Sequence, residues 1–141
     1  MTELIKDIEN RKDIDLLMRR FYERAMADDV IGFIFTNVAM LDLDHHLPVI
    51  GDFWETIVFQ TPTYARHGRN PLQVHGELNA KTDLLPEHFK RWLEIFTETT
   101  DKLFAGERAD FMKLRAQAIA ERMLQFVGGI RSGEFSFPRA A

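Results

Sequence analysis

His75 has more chemistry to offer than any other single residue of this chain, because its neighbours turn it inward. It closes the stretch Asn70-Pro71-Leu72-Gln73-Val74-His75, where Pro71 suits the first position of a helix: its φ is fixed and it has no N–H to lose. A helix starting there puts Leu72 and His75 on one face. An imidazole carried inward beside leucine needs a partner, since an unpaired polar group costs free energy when buried. A backbone carbonyl would serve, and so would a metal ion.

Three further polar side chains belong to apolar helical faces. Tyr22 shares a stripe with Met18 and Ala25, which brings a phenolic O–H to the edge of the core, where it must find an acceptor or water. His46 opens the face His46, Ile50, Phe53, Ile57, which Leu47, Trp54 and Val58 widen. Because Pro48 cannot sit deep in a helix, that helix should start near Asp44, with His46 in its first turn at the mouth of the face. His45 points well round the helix from His46, so the two cannot chelate one metal ion. Trp92 lies mid-face among Phe89, Leu93 and Phe96, with an indole N–H facing the interior. Each has an ordinary structural explanation: a boundary tyrosine, a solvated histidine, a packing tryptophan.

These residues must be positioned by helices. Ile14, Leu17, Met18, Phe21 and Ala25 recur at helical spacing, with Thr2 or Asp13 as candidate N-caps and Asp28-Asp29 as a stop. Val30 to Phe35 is apolar, but no other strand signal exists for it to pair with, so it reads as a tight helical turn delivering Phe35 inward. Asp42 or Asp44 can cap the helix of His46, which ends before Thr61-Pro62. Gly76 to Leu85 is mixed and partly loop, and Pro86 opens the helix of Trp92. After Gly106 a last helix carries Phe111, Leu114, Ala118, Ile119, Met123 and Phe126 as its apolar set, with Gly128-Gly129 ending it. The expected fold is all-α, one domain over residues 1–141 with its core at about 10–128 and a loosely ordered tail from 129.

Composition narrows the function. A length of 141 residues suits a single domain, and 45% hydrophobic with 28% charged residues is ordinary for a globular chain. Twelve phenylalanines against two tyrosines and two tryptophans would wall a large, flat, apolar ligand. The absence of cysteine excludes disulfides, thiolate zinc sites and iron–sulfur clusters, and fits a reducing cytoplasm. Net charge near −4 without a basic block argues against nucleic acid or an anionic membrane as the partner. The N-terminus lacks the apolar core of a signal peptide, and no apolar run reaches bilayer length.

Taken together, Tyr22, His46 and Trp92 beside His75 suggest a pocket with one metal-binding imidazole and polar groups aimed at a ligand. His67 in its Gly/Arg loop and His88 on a solvent-looking helix start are weaker candidates. Two histidines without thiolates or clustered carboxylates make a poor bare-metal site. On opposite sides of a flat cofactor they make a good one, with His75 on the iron of a haem.

With these residues in place, the chain resembles the truncated haemoglobins, and among them the third group, over roughly residues 10–128. The resemblance rests on Phe21-Tyr22-Glu23, on His46 with Ile50-Gly51-Asp52-Phe53-Trp54, on Pro71-Leu72 with His75, and on Phe89 to Phe96. The Gly-Gly pairs that mark the other truncated groups are absent, and Pro48 beside His46 is a departure in the distal helix. The resemblance implies a compact helical sandwich around haem b, with His75 as proximal ligand. It implies Tyr22 and Trp92 as distal donors, His46 as the histidine of the distal gate, Phe35 stacked on the haem, and Phe53 and Trp54 lining the distal helix.

Haem carboxylates need cationic or hydrogen-bonding partners at the rim, for which Arg66, His67, Arg69 and Tyr64 are candidates; a solvated basic loop is the alternative. The partners expected are O2, CO or NO and an unidentified reductant, in a monomer or weak homodimer. O–H and N–H donors stabilise a ligand with partial negative charge, so two of them favour tight O2 holding over delivery. That suits oxygen, peroxide or nitrogen-oxide chemistry, with nitric-oxide dioxygenase or peroxidase-like turnover left open. Two other classes stay open: a globin that binds or senses gas without turnover, and a cofactor-free helical interaction module.

Overall fold

The computed structural model describes residues 4–64, 78, 79 and 81–132, with the backbone alone at 129–132. The described α-helices include α1 (Arg11–Met26), α2 (Leu43–Phe59), α3 (Pro86–Leu103) and α4 (Glu107–Ser132), with a π-helical turn at Ile34–Val38 between the first two. The fold is all-α, as expected; among the described residues there is no strand.

α1 starts one turn before Asp13. Asn10 is extended at φ −158° and its side chain accepts the Asp13 N–H at 3.2 Å, which makes Asn10 the N-cap. Asp13 instead accepts the Glu9 N–H and the Lys6 ammonium, each at 2.8 Å; Thr2 lies outside the described residues. Ile14, Leu17, Met18, Phe21, Tyr22 and Ala25 form the buried face. Asp28 does more than stop the helix. Its carboxylate accepts the N–H groups of Val30 and Ile31 and pairs with Arg91 of α3 at 2.8 Å.

α2 packs against α1 through a charged clamp. The Arg11 guanidinium meets Asp52 at 2.6 Å, Asp15 at 2.8 Å and Glu55 at 3.3 Å, and also donates to the Pro48 carbonyl at 3.2 Å. Asp52 is 1% exposed. Gly51 makes room for the clamp, since a Cβ there would stand 2.5 Å from the Arg11 guanidinium. Pro48 sits inside α2 near its start, where it removes only the N–H that would reach back to Asp44. Gln60 ends the helix in the left-handed conformation at φ 59°.

α3 begins at Pro86, as the sequence predicts. Between α3 and α4, Gly106 adopts φ +147°, and a Cβ on it would stand 2.5 Å from Asp7. The reason for that approach is a cap. The Asp7 carboxylate accepts the N–H groups of Arg108 and Ala109 at 3.0 and 2.9 Å, holding the N-terminal segment on the first turn of α4.

α4 departs from expectation in two ways. Its inward face is Ala109, Met112, Ala116, Ala120, Met123 and Val127, whereas Phe111 is 41% exposed, Leu114 is 65% exposed and Ala118 also faces outward. The helix packs on α3, and alanines there let the two axes approach, so the small residues take the inside. It also runs through Gly128-Gly129 to Ser132, because glycine permits a stop without forcing one. Among the described residues, no helix is long and apolar enough to cross a membrane.

Replacing Arg11 with alanine should lower unfolding free energy by about 3 kcal/mol, because it takes the guanidinium from a buried carboxylate; urea denaturation measures it. Acid should weaken the fold through Asp28. Its hydrogen bond from Arg91 holds the carboxyl below the usual carboxylate range. The folded state therefore binds this proton less readily than the unfolded one. The stabilisation is whole above the ordinary aspartate pKa of about 3.9 and is lost as pH falls through the lower folded value. Asp28→Asn should flatten that part of the stability–pH curve, read by thermal melts between neutral pH and the acid limit.

Candidate functional site

A cavity of about 210 Å³ opens between the helices. α1 contributes Tyr22, the π-helical turn Ile34 and Phe35, and α2 His46, Val49, Ile50, Phe53 and Trp54. α3 contributes His88, Phe89 and Trp92, and α4 Ile119 and Met123. Tyr64, Leu78 and Leu84 complete the described wall together with Ile31. Most of this surface is aromatic or branched aliphatic carbon, with the hydroxyls of Tyr22 and Tyr64, the imidazoles of His46 and His88 and the indoles of Trp54 and Trp92 set into it.

Two of these polar groups meet directly. The Tyr22 hydroxyl and His46 Nε2 are 3.0 Å apart, joining the buried face of α1 to the first turn of α2. Burial pushes the Tyr22 phenol up from its ordinary pKa, so it stays protonated and keeps a hydrogen to donate. The ring is held edge-on by Phe21 at 5.0 Å and by Phe35 at 5.9 Å. Trp92 stacks on Phe96 at 5.5 Å and meets Phe21 edge-on at 5.6 Å. Among the described residues no partner is present for its indole N–H, which leaves a donor on the cavity wall.

Phe35, Phe53, Trp54 and Tyr64 all line the cavity. Trp54 is 2% exposed and leans on Phe96, so it backs the wall, while Phe53 meets Tyr64 edge-on at 5.2 Å. Tyr64 is placed by its own N–H, which donates to Thr56 Oγ1 at 3.0 Å. His75, Leu72, Arg66, His67 and Arg69 lie outside the described residues.

His88 is the lining residue that sequence reasoning set aside. It was expected on a solvent-facing helix start, yet it lines the cavity half-buried. The available signal was its spacing, one turn before Trp92 on the same face of α3.

The walls are aromatic and aliphatic with O–H and N–H groups set among them, which suits a flat apolar group with a small polar ligand beside it. Bare-metal binding has no such support, since among the described residues no three histidine or carboxylate side chains group to hold an ion.

No family model matches the chain. It is 32% identical over 126 residues to a group 3 truncated haemoglobin of Campylobacter jejuni, spanning 85% of this chain and 94% of that protein. It is also similar to the crystal structure of a group III truncated haemoglobin from Campylobacter jejuni, with a TM-score of 0.75 at 27% identity, covering 88% of this chain and 95% of the other.

The contact between α1 and α2 at the cavity should be measurable without any ligand. His46→Leu takes an imidazole from a buried hydroxyl, so the double change with Tyr22→Phe should cost less than the two single changes added together. A double-mutant cycle on unfolding free energy should return about 1 kcal/mol of coupling between the two positions.

Proposed function

Because this chain belongs to the truncated haemoglobins of the third group, we propose that its cavity holds haem b through His75 and binds O2, and by the same chemistry CO and NO, against Tyr22, Trp92 and His46. The observation that carries this reading is the pair of available donors, a phenol kept protonated by burial and an indole N–H without a partner, in one aromatic-walled cavity. When bound, haem supplies an iron with an open position for a diatomic molecule.

The residues of the chain then do the selecting. Phe35, Phe53 and the backing Trp54 give the macrocycle apolar surface and exclude water from the ligand end. Tyr22 donates to a ligand that acquires partial negative charge, and Trp92 adds a second donor from the opposite helix. His46 assists by polarity: with its Nε2–H donating to the Tyr22 oxygen, the phenolic hydrogen is left for the ligand. A hydrogen bond to a charged acceptor contributes roughly 1.5–3 kcal/mol, and O2 acquires more charge than CO. The pocket therefore favours O2 and holds it too firmly for delivery. Such holding suits conversion of oxygen, peroxide or nitrogen oxides, with dioxygenation of nitric oxide or reduction of peroxide as the candidate reactions and an external reductant to restore the ferrous state. Arg66, His67, Arg69 and Tyr64 are the proposed partners of the haem carboxylates, in a protein of the cytoplasm that works as a monomer or weak homodimer.

Purified protein should show a Soret band that His75→Ala abolishes while circular dichroism remains helical. Tyr22→Phe should speed O2 dissociation on the order of tenfold, with a smaller change for CO. A folded, colourless protein that takes up no haemin would overturn the reading in favour of a helical interaction module. Steady consumption of NO or peroxide with a reductant present separates turnover from gas binding alone.

A further inference from the structure

We propose that His88 anchors a carboxylate of the bound cofactor, donating from Nε2 at the edge of the cavity near the start of α3. The inference rests on the haem reading above and adds a residue to it. Its geometry comes from the helix start. Pro86 opens α3, and the Leu85 N–H donates to His88 Nδ1 at 3.0 Å. A nitrogen that accepts a hydrogen bond carries no proton, so in the neutral ring the proton sits on Nε2. The ring is steadied by the edge of Phe33, 5.9 Å away. His88 is thus a donor of fixed direction, and among the described residues Nε2 has no partner.

The need for such a donor follows from the rest of the wall. No lysine or arginine lines the cavity among the described residues. Tyr22 and His46 meet each other, and Trp92 sits one turn further along α3 among Phe21 and Phe96. A cofactor with apolar faces and carboxylates on one edge must place those carboxylates against donors or water. On the α3 side His88 is the polar side chain at the end of the row, beside the partly exposed Phe33. A second carboxylate is left for Tyr64.

His88→Glu isolates the claim, because glutamate at the third helical position keeps an acceptor for the Leu85 N–H while replacing the donor with a like charge. Holoprotein is loaded with haemin or with haemin dimethyl ester, and loss to an excess of an apo-globin acceptor is followed at the Soret band. Haemin should leave His88→Glu at least tenfold faster than the unaltered protein, a loss in the range of one charged hydrogen bond. The dimethyl ester should leave both proteins at similar rates. His88→Leu, which removes the donor without adding a charge, should show the same contrast between the two porphyrins at a smaller size. Equal acceleration of both porphyrins would show a structural role alone, and no acceleration of haemin would remove His88 from the contact; either overturns the proposal. Failure of the unaltered protein to take up either porphyrin would instead overturn the haem reading.

Discussion

A hydroxyl sealed among aromatic rings must hydrogen-bond to something, and in this protein that requirement ties the cavity together. Tyr22 is held on the inner face of α1 by Phe21 and Phe35, and its oxygen is reached by His46 from the start of α2. Neither helix could rotate by one residue without stranding a polar atom in carbon. The same burial that makes the phenol demanding also keeps its proton in place, so the constraint that organises the pocket leaves it a donor.

The demand can be met because the two helices are fixed elsewhere. Arg11 gathers Asp15, Asp52 and Glu55, and Gly51 lets that cluster sit against α2. Desolvation of the guanidinium works against its charge, but the hydrogen bonds it donates to Asp15 and Asp52 more than offset that and hold its pKa above the usual value. On the other side Arg91 joins Asp28 and Arg24 joins Glu98, which fixes α3 to the end of α1 and with it the position of Trp92. The polar groups of the cavity thus stand on three helices whose spacing is set by ion pairs outside it.

Much of this was legible in the sequence, and the failures have physical causes. The faces of α1, α2 and α3 each had one apolar stripe, so Tyr22, His46 and Trp92 could be read inward one at a time. That they share a cavity depends on how helices pack, which periodicity does not carry. α4 offered two stripes. Ranking by hydrophobicity favours Phe111 and Leu114, whereas the stripe that is buried carries the small residues Ala109, Ala116 and Ala120. His88 is hard to find in one dimension because a residue beside a helix start looks solvated, and only the packed fold turns it toward the cavity, with the edge of Phe33 against its ring. The Arg11 clamp was invisible for a similar reason: its acidic partners are spread over two helices.

The cap on α4 has a consequence for how the chain comes together. Asp7 reaches residues 108 and 109, about a hundred positions along the chain, and Ala105 donates to the Lys6 carbonyl at 3.0 Å beside it. Ile8, fully buried, is drawn in by the same contact. Contacts of such high sequence separation carry a large loop-closure entropy, which the intervening helices lower by shortening the loop to be closed. The first few residues therefore act as a latch on the finished molecule, and a protease or an N-terminal fusion that pulls them away would loosen the last helix before it touched the pocket.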